Sequence, residues 1–136
     1  MDPSAHVKPA RLTRSLLSRS RQGALATLMR EGGDPYCSLV NVASLPDGSP
    51  ILLISRLAVH TKNILADPRV SLMLDERVQG DPLEGARIML AGTAEEAEDD
   101  AEFLKRRYLA AHPSAEDFVG FKDFSFFRIK PKGVHL

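Results

Sequence analysis

Ser55, His60, Thr61 and Lys62 crowd into one short stretch of the segment PILLISRLAVHTKNILADPRVSLML, Pro50 to Leu74. An apolar strand ends at Ser55, a polar turn follows, and a short helix opens around His60. A hydroxyl delivered to a helix start, where unbonded backbone N–H groups and the dipole already favour negative charge, makes a seat for a phosphate. Lys62 adds a formal charge and Thr61 a second hydroxyl. Each residue also has a plainer use. Thr61 could cap the helix, His60 could bond a neighbouring carbonyl, Lys62 could face solvent and Ser55 could simply end its strand. Arg87, close to Gly85 at a later strand start, could reach an anion or pair with Asp75 or Glu76. Cys37 has no basic neighbour in sequence and reads as a small core residue. His6, His112 and His135 show no ligand spacing, so a metal centre is not expected.

The elements that must position these residues follow from periodicity and turn chemistry. Pro9 to Arg21 places Leu12, Leu16 and Leu17 on one stripe with arginines opposite, an amphipathic helix that Gly23 should end. GALATLMR follows as a strand, EGGDP as a hairpin loop, and YCSLVNVASL as a second strand with apolar residues on both faces, expected to be covered on both sides. PDGS, Pro46 to Ser49, is a turn into the strand Ile51 to Ser55. After the helix from His60 to Ala66 come RVSLML, a loop from Gln79 to Gly85, and a long strand ARIMLAGTAEEAE in which Gly92 marks a bulge or close approach. Asp99 or Asp100 could cap a helix running through Ala111, Ser114 to Phe118 starts another helical turn, and FSFFRIKP closes the chain as a strand. Six strands with small helices between them favour a closed or nearly closed antiparallel barrel, because closure removes exposed edges; an α+β sandwich is the alternative.

At 136 residues the chain is about one domain. Residues 1 to 8 read as a loose arm and 9 to 136 as the folded unit. With 18 basic and 18 acidic side chains the net charge is zero, which argues against a nucleic-acid partner. The charges are nevertheless uneven. Lys8, Arg11, Arg14, Arg19, Arg21 and Arg30 sit early and Glu95 to Glu102 is acidic, both read as solvated helix faces. One cysteine cannot close an intramolecular disulfide, and no apolar run approaches membrane-spanning length; a cytoplasmic protein without a membrane partner is expected. The aromatics Phe118, Phe121, Phe124, Phe126 and Phe127 are dense enough for a dimer seam or a cofactor wall, with core packing the commoner use.

In this strand order, Pro35-Tyr36, Asp47-Gly48-x-Pro50, Ser55-x-Leu57-Ala58-x-His60-Thr61-x-Asn63, Asp67-Pro68-Arg69 and Arg87 together resemble the pyridoxamine 5'-phosphate oxidase-like FMN-binding split-barrel superfamily, in particular its HugZ-type haem utilisation branch. The likeness covers residues 10 to 132. It implies a six-stranded antiparallel Greek-key split barrel, a homodimer, and FMN bound between the subunits, as in a flavin-dependent oxidoreductase. Carried over residue by residue, Ser55, His60, Thr61 and Lys62 would hold the flavin phosphate, Arg87 would reach it from the long strand, and Ser38 and Asn41 would line the isoalloxazine. His60 stands where many relatives carry a phosphate-binding lysine. The chain ends without the Arg- and His-bearing tail of true oxidases, so oxidation of pyridoxamine phosphate is not the expected activity. The branch also implies an alternative, a haem-binding or haem-degrading protein on the same barrel, and a cofactor-free structural dimer is the third reading.

Overall fold

A computed structural model of the chain describes residues 9–76, 80 and 85–135. The expected arm at residues 1–8, with His6, and most of the expected loop at 79–85 lie outside the described residues. Helix α1 (Pro9–Arg19) leads into β1 (Gln22–Leu28), β2 (Pro35–Asn41), β3 (Ala43–Ser44) and β4 (Pro50–Ser55). Helix α2 (Val59–Ala66) and strands β5 (Arg69–Asp75) and β6 (Arg87–Glu96) follow. Helix α3 (Ala101–Ala111), a 3-10 turn at Pro113–Asp117, and β7 (Phe124–His135) complete the chain. The strands form one sheet in the order β2-β1-β5-β6-β7-β4-β3, every described pairing antiparallel. This is a mostly β split barrel with small helices.

Seven strands stand where six were expected, because the second breaks at Val42. The Val42 N–H donates to Arg21 O at 2.8 Å and its carbonyl lies 2.7 Å from His112 Nε2, so both of its backbone groups are taken by partners outside a regular ladder. Two glycine readings part company. Gly23 does not end α1; it lies inside β1, where an added Cβ would come within 2.9 Å of the Leu72 and Leu74 side chains. Gly92 does mark a bulge. The β6–β7 register shifts between Ala91 and Gly92, and a Cβ on Gly92 would sit 2.1 Å from Lys130 O. Its partner Pro131 has no N–H to give the ladder, which suits a residue opposite an irregularity.

The PDGS turn forms as read. Gly48 takes φ 89°, Asp47 Oδ1 accepts from Ser49 N at 2.9 Å, and Leu45 and Ser49 close the hairpin at 2.9 Å. Asp100 does precede α3, but in a left-handed conformation and without a side-chain cap bond. The helical turn expected from Ser114 to Phe118 is the 3-10 turn Pro113–Asp117, with His112 at its N-cap position.

Two apolar clusters sit on opposite faces of β4. Leu52 and Ile54 join the barrel interior with Leu25, Leu72, Leu90 and Phe127. Ile51 and Leu53 face outward and are covered by Leu104 and Tyr108 of α3. Burying such side chains stabilises by roughly 1.5–3 kcal/mol each. β4 is therefore the strand covered on both sides. β2 is not: it ends the sheet, and Cys37, Leu39 and Asn41 along its outer face are exposed. Cys37 is thus a surface residue and not part of the core. Among the described residues, no helix is long and apolar enough to cross a membrane.

Candidate functional site

The sheet does not close between β2 and β4. The two strands come side by side without a hydrogen-bonded ladder, and the opening between them is a groove of about 320 Å³. Leu39, Val40 and Asn41 of β2 form one bank. Leu53, Ile54 and Ser55 of β4 form the other, and Ala58 and His60 at the start of α2 close one end. Tyr108 of α3, with Phe118 and Phe124, supplies aromatic wall. Among the described residues, no lysine or arginine lines it.

His60 is half-buried, and its Nδ1 lies 3.3 Å from Ser38 Oγ on β2. Loss of solvation pushes its pKa below the usual 6.5, which favours the neutral imidazole. Its Nε2 has no protein partner among the described residues. In the tautomer whose Nδ1–H donates to Ser38, the Nε2 lone pair is free for a ligand. The helix that carries the ring is anchored by Asn63, about one turn on from His60. Asn63 is 1% exposed, donates to Thr27 Oγ1 at 3.0 Å and accepts from Arg30 N at 3.0 Å, which fastens α2 to the end of β1.

The remaining candidates divide. Asn41 and Ser55 line the groove and Ser38 reaches it through His60. The Ser55 hydroxyl is already engaged, donating to Asp123 Oδ2 at 2.9 Å and accepting from Leu57 N at 3.1 Å. Thr61 is not the helix cap; Ala58 holds that position. Thr61 is 0% exposed and its hydroxyl has no partner, an arrangement that costs about 1–3 kcal/mol and leaves the hydroxyl closed to solvent. Lys62 is exposed and off the groove wall. Arg87 is exposed at the start of β6, in register with Asp75, while Glu76 takes Arg19 at 2.9 Å; β6 does not border the groove. Neither Asp75 nor Glu76 forms an ion pair with Arg87.

Three residues of the site carried no local sequence mark. Tyr108 reads as one more apolar position of a helix, yet it walls the groove at 2% exposure, and burial pushes its phenol up to about 12. Asp123 holds Ser55, and its carbonyl also takes Arg56 N at 2.7 Å. His112 stacks on Tyr108, ring centroids 4.9 Å apart, while holding Val42 O. Among the described residues no group of three or more His, Cys, Asp or Glu is gathered to hold a metal ion.

The family model described as pyridoxamine 5'-phosphate oxidase matches residues 11–136. The chain belongs to the pyridoxamine 5'-phosphate oxidase family. Within that family it is 42% identical over 98% of its length to the chloroplastic haem oxygenase HOZ of Arabidopsis thaliana, and it spans 41% of that protein. A solved protein of Agrobacterium tumefaciens superposes with a TM-score of 0.87 at 32% identity, over 99% of this chain and 59% of the other. A haem-binding protein from Mycobacterium smegmatis superposes at 0.85 with 34% identity, over 94% of this chain and 54% of its own. The chain thus spans about half the length of these relatives.

Proposed function

We propose that the protein binds haem in the groove between β2 and β4, with His60 as the imidazole that faces the iron. The observation that carries this reading is the pairing of a neutral, half-buried His60 with an uncharged aromatic and aliphatic wall. A flat macrocycle finds apolar faces there, and an unprotonated ring nitrogen is the form that ligates iron. Ser38 can accept from Nδ1–H, which leaves Nε2 unprotonated, and Asn63 fixes the helix that carries the ring. Bound haem supplies iron-centred electron and oxygen chemistry; this chain's residues hold it, orient it and keep water from one face. Two haem-named relatives above 30% identity support the same reading.

The working unit in this proposal is a homodimer. The outer face of β2 and the turn before α2 leave Leu39 and Leu57 each 74% exposed beside the groove, and a second copy laid there would cover both them and the open side of the ligand.

A second reading, FMN binding by a flavin-dependent oxidoreductase, is favoured by the uncapped start of α2, where Ala58 offers no side-chain acceptor to the first N–H groups. Against it stand the lack of a cation on the wall and the commitment of the Ser55 hydroxyl to Asp123. Parallel titrations with hemin and FMN separate the two. Under the haem reading hemin gives a shifted Soret band that His60→Ala abolishes and His135→Ala preserves. Quenching of FMN fluorescence that Lys62→Ala weakens, with no Soret shift, would replace haem by flavin.

A further inference from the structure

A second groove, of about 460 Å³, lies between α1 and the β3–β4 turn, with Arg107 of α3 on its border. Arg11, Arg14, Ser15 and Ser18 border it from α1, a spacing of three, four and seven residues that puts all four on one helix face. Arg107 enters from α3, its Nε donating to Ser44 O at 2.9 Å. That single bond anchors the planar guanidinium and leaves its terminal N–H groups for another acceptor. Arg107 is half-buried with no carboxylate partner, and Arg11 and Arg14 have none among the described residues. Arg107 is partly withdrawn from water without a counter-charge, which is unfavourable, and the exposed Arg11 and Arg14 add two more unpaired cations to the same recess, so an anion there would be favoured. The one carboxylate on the rim, Asp47, is held by Ser49 N at 2.9 Å and by Arg128.

We propose that this groove binds a small molecule through a phosphoryl group, gripped by Arg11, Arg14 and Arg107. Guanidinium forks match the paired oxygens of phosphate, and the serine hydroxyls of α1 can donate to the remainder. The neighbouring surface limits the size of the anion. Across the same Leu45–Pro46–Asp47 turn lies a groove of about 480 Å³ bordered by Glu95, Glu96, Glu98, Asp99 and Asp100. A nucleic acid or an anionic bilayer laid over the arginines would meet that row of carboxylates, whereas a compact ligand would not. The arginine face read from sequence as merely solvated thereby gains a use.

Calorimetric titration with pyrophosphate, citrate and a short DNA duplex tests this at low ionic strength. Pyrophosphate is expected to bind more tightly than citrate, and to weaken as salt is added. The double variant Arg11→Gln/Arg14→Gln, whose sites are exposed, should melt at the wild-type temperature yet lose about tenfold or more in pyrophosphate affinity. Arg107→Gln gives an independent second loss, and Arg87→Gln, remote from the groove, should lose nothing. No heat with pyrophosphate, equal affinity in Arg11→Gln/Arg14→Gln, citrate binding as tightly, or DNA binding more tightly would each overturn the proposal.

Discussion

Tyr108 and Arg107 are neighbours on α3, yet they border grooves of opposite character. Tyr108 is packed among Leu53, Phe118, Phe124 and Phe126 and walls a recess with no formal charge. Arg107 leans the other way, onto the backbone of β3, and shares a recess with two more arginines. One side of the helix is therefore built into the fold, and the other is laid on its surface. The difference is expected in how each side answers substitution: the apolar groove cannot be altered without disturbing the core, whereas the basic groove can lose charge with the fold intact.

The largest effect should come from Tyr108→Ala. It removes a buried ring that touches His112 and Phe126, the latter at 5.7 Å edge to face, and such truncations cost about 3–5 kcal/mol. Urea unfolding measures that loss, and hemin affinity should fall with it. Arg107→Gln removes only the bond to Ser44 O, worth about 1 kcal/mol, so similar losses for the two neighbours would break the distinction between built-in and surface sides. Asn63→Ala comes next. It strands the Thr27 hydroxyl and the Arg30 N–H, a loss of about 1–3 kcal/mol. Because α2 carries His60, the variant should also weaken hemin binding; Thr27→Val, which removes one partner but spares Asn63, should weaken it less.

The sequence reading reached the architecture and the neighbourhood of the site, and it stopped where partners are distant along the chain. Turn chemistry at Pro46–Ser49, the bulge at Gly92 and the helix after Ser55 are local, and local residue types report them. The break at Val42 depends on His112, 70 residues away, and the engagement of Ser55 on Asp123, 68 residues away; neither leaves a mark near the residue it affects. Cys37 shows the same limit from another direction. Alternation along β2 is compatible with two covered faces, and only the position of β2 at the end of the sheet leaves that residue exposed. His60 and Asn63 belong to one sequence motif, and only their bonds distinguish them: Asn63 ties α2 to Thr27 and Arg30, while His60 meets Ser38 through Nδ1 alone.

The smallest effect, and the most specific to the groove, is the acid limb of stability. His60 has a folded pKa below its unfolded 6.5, so between those values the unfolded chain binds more protons and the unfolding free energy falls as pH falls. The loss begins near pH 6.5 and levels off once pH drops below the folded pKa. Asp67, held down to about 2 by Arg69, contributes stability that is lost only as pH falls below its unfolded 3.8, and Asp47 loses its own in the same carboxylate range. At the other extreme Tyr108 contributes stability that is lost as pH rises from about 10 toward 12. A stability profile between pH 7 and 5 therefore isolates the His60 contribution among these shifted groups. The wild-type chain should lose stability across that interval and His60→Gln should lose measurably less. Hemin should raise stability throughout that interval yet steepen its fall with pH, because iron keeps the folded nitrogen free of the proton that the unfolded imidazole still takes. An identical slope in His60→Gln would place the titration elsewhere and remove the electrostatic contrast between the two sides of α3.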